Sequence, residues 1–187
     1  MAKNNSSLVS IGKPLVTGAL SACAVKGATL PTDATTGLTG FTNLGYVSED
    51  GLTNNFETES TDIKAFGGDT VLTVGTSRKE TFEWSFIQSL DGDVLKEVFG
   101  ETNVTDSSGA LTIKHNSKEM PYRVFVIEML MTGGRVKRIV IPKGKITSVG
   151  TQTYKDGEVI AYPVTLSCSP DSDGNTAIEY ISKADDE

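Results

Sequence analysis

The clearest signal along the chain is the alternation over residues 80–88. Phe82, Trp84 and Phe86 share one side there, and Glu83 and Ser85 the other. That period of two predicts a half-buried strand. A second strong pattern begins after Pro121. Residues 122–131 are apolar apart from Arg123 and Glu128, and Thr132-Gly133-Gly134 follows as a tight hairpin turn. Residues 135–141 read as the returning strand. Pro142-Lys143-Gly144-Lys145 predicts another turn, and residues 146–154 another strand. Asp156-Gly157 is a type I′ hairpin signal. Beyond it Ile160, Tyr162, Val164, Leu166 and Cys168 alternate over residues 159–168, with Pro163 predicting an edge position or a bulge.

The first half is weaker in pattern. Residues 15–25 are apolar and small and predict a first strand. Residues 27–40 predict a loop that Leu30 and Leu38 pin to a surface. Residues 41–47 read as a short strand before a turn at Ser48-Glu49-Asp50-Gly51. Residues 52–79 predict a long inter-strand loop with strand-like pieces at 52–57 and 70–74. Such an insert in a compact domain is functional or disordered. Ile63, Ala65 and Phe66 argue against disorder, because they need something to pack on, and a partner subunit is one answer. Residues 93–99 predict a single short helix. Val94, Leu95, Val98 and Phe99 share a face, Asp93 stands as N-cap and Gly100 as the residue past the end. Residues 101–119 carry only weak signals.

The expected fold is mainly β, an antiparallel sandwich or half-barrel with that one helix packed on it. One domain is expected: a flexible arm over residues 1–14, a β-domain over 15–182 and an acidic tail over 183–187.

The 187 residues are 37% hydrophobic and 22% charged, with a formal net charge of −7. An acidic chain is not drawn onto nucleic acid by bulk charge, although an acidic wall can border DNA without gripping it. Residues 1–10 are polar with no apolar stretch behind them, and no run approaches the ~20 residues of a membrane helix. Folding in the cytoplasm without membrane insertion is therefore expected.

Little in the sequence points to chemistry. Cys23 and Cys168 form no CxxC pair and read as small buried residues. His115 is the sole histidine and lies in a polar stretch that reads as a solvated loop. Asp171-Ser172-Asp173-Gly174-Asn175 looks like part of a calcium loop, but its glycine and the closing Ser182 are misplaced, so a turn is the better reading. Asp91, Asp93 and Glu97 at a helix start are explained by capping and the helix dipole. No nucleotide cradle or nucleophile elbow is present. The expectation is a non-enzymatic protein without cofactor or metal. Arg135, Lys137, Arg138, Lys143 and Lys145 form a basic hairpin. Without interleaved aromatics it reads as a strand face opposing an acidic neighbour more readily than as a nucleic-acid site.

An ordered series of segments resembles a known family. It runs Leu30-Pro31-Thr32-Asp33-Ala34, then residues 44–52 (LGYVSEDGL), then residues 62–69 (DIKAFGGD), then Asp93-Val94-Leu95-Lys96 with Phe99-Gly100. In order and spacing it is similar to the major tail tube proteins of non-contractile, long-tailed phages of Gram-positive hosts. The resemblance implies six-fold rings that stack into a hollow tube, with strands of each subunit joining a shared inner barrel and a helix outside. It implies a tape-measure protein in the lumen, terminator and tail-tip partners, transient passage of viral DNA, and residence in the virion tail after assembly in the host cytoplasm. It also implies that the long loop and the termini bridge subunits or rings. Glu57, Glu59, Asp62, Ile63, Lys64, Phe66 and Asp69 are the interface candidates on that loop, and Glu49 and Asp50 are candidates for the lumen or interface. Two alternatives stay open: the tube of a contractile tail or secretion system, and a binding β-sandwich module of the decoration or adhesin kind.

Overall fold

The computed structural model describes residues 4–15 and 18–183. Residues 1–3 of the expected arm and 184–187 of the expected acidic tail lie outside them. The strands are β1 (Gly12–Pro14), β2 (Leu20–Ala24), β3 (Thr42–Asn43), β4 (Thr53–Lys64), β5 (Thr70–Phe86), β6 (Val104–Ser107), β7 (Ala110–Ile113), β8 (Arg123–Met131), β9 (Val136–Val149), β10 (Tyr162–Cys168) and β11 (Ile178–Ile181), with one helix, α1 (Gly92–Phe99). Nine strands form one antiparallel sheet in the order β3-β2-β8-β9-β10-β5-β4. In it β1 pairs β8 and β11 pairs β9, while β6 and β7 make a separate hairpin. This is the expected mainly-β, antiparallel architecture with a single short helix.

The alternation in β5 sets the core. Phe82, Trp84 and Phe86 are buried on one sheet face with Phe125 and Ile127 of β8, Ile139, Ile141 and Ile146 of β9, and Val164 and Leu166 of β10. Each such side chain contributes about 2 kcal/mol by leaving water. Trp84 meets Phe86 edge-on with centroids 5.6 Å apart. The helix covers this face with Val94, Leu95 and Val98, and the β6–β7 hairpin adds Val104, Leu111 and Ile113.

The helix begins one residue earlier than the pattern predicts, at Gly92, and its cap lies two residues earlier. Asp91, not Asp93, is the cap: its carboxylate accepts from the Asp93 N–H at 2.9 Å and the Val94 N–H at 3.5 Å. Asp93 sits in the first turn and pairs with Lys96 at 2.9 Å. Gly100 ends the helix with φ +95°, and its N–H donates to the Lys96 carbonyl.

Several expected turns and loops are something else. Pro142-Lys143-Gly144-Lys145 is no turn, because β9 runs straight through it. A bulge opposite Arg123 and Phe125 absorbs the proline, which donates no ladder hydrogen bond. Pro163 lies at the start of a central strand, where its carbonyl accepts from the Gly150 N–H at 2.7 Å. Asp156-Gly157 does form a turn, yet β9 stops at Val149 and β10 starts at Tyr162, so it joins no tight hairpin. Residues 101–119 hold the β6–β7 hairpin, turned by Ser108 and Gly109 with φ +54° and +87°. The arm is tied down in part: β1 pairs β8, and the Ile11 N–H donates to the Thr132 hydroxyl at 3.0 Å.

The loop over residues 27–40 is held by a buried cation. Arg138, 3% exposed, donates to the Glu128 carboxylate at 2.6 and 2.9 Å and to the Asp33 carbonyl at 2.9 Å. Asp33 shapes the turn above it. Its carboxylate accepts from the Thr36 hydroxyl and from the Thr36 and Thr35 N–H groups, which pulls its pKa down to about 2. Ala34 is buried beneath, whereas Leu30 and Leu38 are only half-buried.

A second buried pair ties the helix to β8. Glu97 accepts from Arg123 at the helix–sheet junction. Burial, opposed by Arg123, pushes the Glu97 carboxyl up from 4.5 to about 7.

Two stability predictions follow from these pairs. Replacing Arg138 with Ala leaves Glu128 and the Asp33 carbonyl without their donor. The change should lower unfolding free energy by about 3 kcal/mol or more and open residues 27–40 to protease, as read by denaturant titration and limited digestion. Glu97 binds its proton more tightly folded than unfolded. Its contribution to stability is therefore full below pH 4.5 and is lost as pH rises toward 7. Glu97→Gln should flatten that part of the pH–stability profile, whose span is up to about 3 kcal/mol. An unchanged slope contradicts the assignment.

Candidate assembly surface

The segment expected as a loop, residues 52–79, is a long ribbon. β4 and β5 pair from Thr53↔Glu83 to Lys64↔Thr70, with register shifts after Glu59 and Ile63. Only the base of β5 belongs to the body, where residues 80–86 pair with β10. Beyond it, residues 70–79 have β4 as their one neighbour. A tip over residues 65–69 closes the ribbon, with the Ala65 N–H donating to the Asp69 carbonyl at 2.7 Å. Gly67 and Gly68 turn it at φ +114° and +100°, where a side chain would be strained.

At the ribbon base, Glu80 is a buried clamp. Its carboxylate accepts from the Asn54 amide at 2.9 Å and from the Thr176 hydroxyl, joining β4, β5 and the chain leading to β11. The same carboxylate and burial push the neighbouring Cys168 thiol up to about 12, burial being the larger cause. Cys168 and Cys23 are both buried free thiols.

Register sorts the ribbon candidates. Glu57 faces Lys79 at 3.4 Å, Glu59 accepts from Ser77 at 3.0 Å, and Asp62 accepts from Thr73 at 2.6 Å. These acids are satisfied within the ribbon and contribute little at exposed sites. Lys64, Phe66 and the Asp69 side chain have no bonded partner among the described residues. Ile63 stands directly opposite Leu72, and the pair Thr61↔Val74 lies two residues along on the same face. Ile63, Leu72 and Val74 are therefore a contiguous exposed apolar patch, with Phe66 fully exposed at the tip. Val71, Leu72 and Val74 are absent from the sequence-level candidates. Their signal was the alternation of Leu72 and Val74 at the right offset from Ile63 across a five-residue turn.

Glu49 and Asp50 do not join this group. They lie at the other end of β5, where the Ser48 N–H donates to the Ser85 carbonyl and Val47 bridges Phe86. There Asp50, Ser48 and Thr53 border an open cleft with Glu83, Ser85 and Thr165, on the sheet face away from the helix. By register, that face continues along the ribbon through Asn55, Glu57, Glu59 and Ser77. Hydroxyls and acids dominate it.

The basic hairpin dissolves as a unit. Arg138 points into the fold and holds residues 27–40, which no spacing rule foretells. Lys137 pairs with Glu179 of β11 at 2.7 Å, and Lys145 with Glu119. Lys143 sits 4.8 Å from the Tyr122 ring centroid. Of the five, the Arg135 side chain alone has no partner among the described residues, and three of the five cations are paired with carboxylates of the same chain.

Other titratable groups have structural settings. His115 is exposed and meets the Phe99 ring edge-on at 4.7 Å. Asp171 accepts from the Asp173 and Asn175 N–H groups at 2.9 and 2.8 Å in a turn. Among the described residues no cluster of three or more His, Cys, Asp or Glu is placed to hold a metal, and no helix is long and apolar enough to cross a membrane.

Three comparisons bear on this arrangement. A comparison with curated proteins gives no match. Among solved structures, the chain is similar to the cap of an anti-feeding prophage, the tube-terminating cap, at 14% identity and a TM-score of 0.43, over 91% of this chain and 93% of that one. The model of the family described as phage tail tube protein matches residues 1–187. A projecting ribbon on an antiparallel sheet and a match along the whole sequence thus lead to one statement: the chain belongs to the phage tail tube proteins.

Proposed function

We propose that this subunit closes into six-fold rings that stack as the tube of a non-contractile tail, the conduit for DNA ejection. One observation carries the reading: the β4–β5 ribbon. A lone two-stranded ribbon is marginal in water, and this one leaves Ile63, Leu72, Val74 and Phe66 exposed along with the outer edge of β4. Neighbouring copies are the natural cover, since a heterologous contact that closes gives a ring and one that repeats along an axis gives a filament. The ribbon reaches the next ring, and sheet edges meet around each ring, removing edges that a monomer would have to protect.

The sheet face with Asp50, Glu57, Glu59 and Glu83 suits the lumen wall. Small hydroxyls from Thr53, Ser85 and Thr165 keep it wetted, and its acids offer phosphates no counterion release, so DNA slides without being held. The tape-measure protein occupies the same channel before ejection, and terminator and tip proteins cap the ends. The subunit is a structural component of the virion tail, assembled in the host cytoplasm, and does no catalysis. Of the basic residues 135–145, Arg135 and Lys143 keep their charge free of an acidic partner and are the ones left to face a neighbour.

The test is to shorten the ribbon. Joining Glu57 to Lys79, which already face each other, through an Asn-Gly turn removes the distal part and keeps a two-residue hairpin. The shortened chain should melt within a few degrees of the parent and stay monomeric in sedimentation velocity. The full chain should form rings or rods in negative stain. Polymers from the shortened chain, or a full chain that stays monomeric at every concentration, contradict the proposal.

A further inference from the structure

β9 carries Lys143-Gly144-Lys145, and Gly144 decides which way the two lysines turn. A Cβ on Gly144 would fall 3.0 Å from the Phe125 ring and 3.1 Å from Leu166, so this residue backs onto the core. Its neighbours in the strand turn to the opposite face, away from the helix. Register fixes that face independently. Lys145 stands opposite Ser167, Ser167 opposite Thr81, and Thr81 opposite Asn55. Thr165, two residues before Ser167, shares the face and borders the cleft with Asp50 and Glu83.

Along the sequence the basic hairpin lacks an interleaved aromatic, and the fold supplies one from outside it. Arg123, the first residue of β8, turns to the helix and meets Glu97, so Tyr122 before it turns to the other face. There its ring centroid lies 4.8 Å from the Lys143 ammonium and 5.4 Å from that of Lys145. One half-exposed ring thus gathers two cations. Glu119 is the one carboxylate paired with either lysine, and its side chain is 83% exposed. Lys143 has no acidic partner among the described residues, so the spot keeps a local excess of positive charge. An ammonium carries three N–H donors, more than a ring face takes up.

Lysine meets phosphate as a point charge and reads no base. Two lysines beside the Tyr122 and Ser167 hydroxyls suit the oxygens of a phosphate backbone. Place favours DNA over an acidic protein segment. The row Lys145, Ser167, Thr81 and Asn55 separates Glu83 from Glu57 and Glu59 on the face assigned above to the lumen wall. On that wall one basic spot per subunit recurs at every level of the tube. Contacts made to phosphates alone let a protein slide along DNA.

We propose that Tyr122, Lys143 and Lys145 form a phosphate-contacting spot that touches the backbone of passing duplex DNA without reading its sequence. This rests on the tube reading for the source of the DNA, while the binding itself does not depend on it.

The test uses the full chain and a fluorescently labelled DNA duplex at low salt, read by anisotropy. The parent should bind weakly, and log affinity should fall against log salt with a slope of about −2, the release expected from two phosphates. Lys143→Glu should weaken binding several-fold and reduce the slope by about 1. Arg135→Glu, just before β9, changes net charge equally and should bind like the parent. Both variants should melt with the parent, and Lys143→Glu should assemble like it. No binding by the parent, or equal losses from the two reversals, overturns the proposal. A polyglutamate peptide that binds as tightly as DNA of equal charge also overturns it and assigns the spot to an acidic protein segment. Loss of assembly in Lys143→Glu overturns it too, by placing Lys143 between subunits. Whether the parent forms rings is read separately in negative stain and decides the tube reading alone.

Discussion

An antiparallel ribbon of two strands satisfies half of its backbone polar groups and buries almost none of its apolar surface. Everything distinctive about this chain follows from that shortfall. The body has a covered core and a capped helix. From residue 57 to residue 79 it sends out paired strands whose outer edges and faces lie in water. A sequence that kept Ile63, Leu72, Val74 and Phe66 exposed without a partner would carry an aggregation hazard. A polymer of identical copies turns the same hazard into a bond.

The body is braced where the ribbon leaves it. Glu80 gathers Asn54 and Thr176 at the point where β5 passes from two neighbours to one. Arg138 locks residues 27–40 onto β8 and β9, and Glu97 with Arg123 locks the helix to β8. Each of these buried charges costs desolvation and is kept only by its partners. They tie residues 27–40, the helix and the chain before β11 to the sheet below the ribbon.

Legibility in the sequence tracked burial. Phe82, Trp84 and Phe86, residues 122–131 and the helix around Val94 and Val98 face one core, and their periodicity is plain. The ribbon has no buried face, so its polar and apolar residues mix, and the stretch reads as a loop although it holds most of β5, the longest described strand at 17 residues. Pro142 imitates a turn because only pairing with β8 reveals the bulge that absorbs it. The Ser108-Gly109 turn was hidden by the weak apolar content of β6 and β7. Arg138 was legible as a charge, but its role depends on Asp33, which lies 105 residues away. The ordered series of segments between Leu30 and Gly100 was the firmest guide to the family, and the whole-length match agrees with it.

The central claim is that the ribbon finds its missing contacts only in other copies of the chain. Amide hydrogen exchange, residue by residue, on free subunit and assembled particle tests it most directly. The account predicts that amides over residues 57–79 exchange quickly in the free subunit and become strongly protected in the particle, while those of β8 to β10 are protected in both. Equal protection of residues 57–79 in the two states would contradict it.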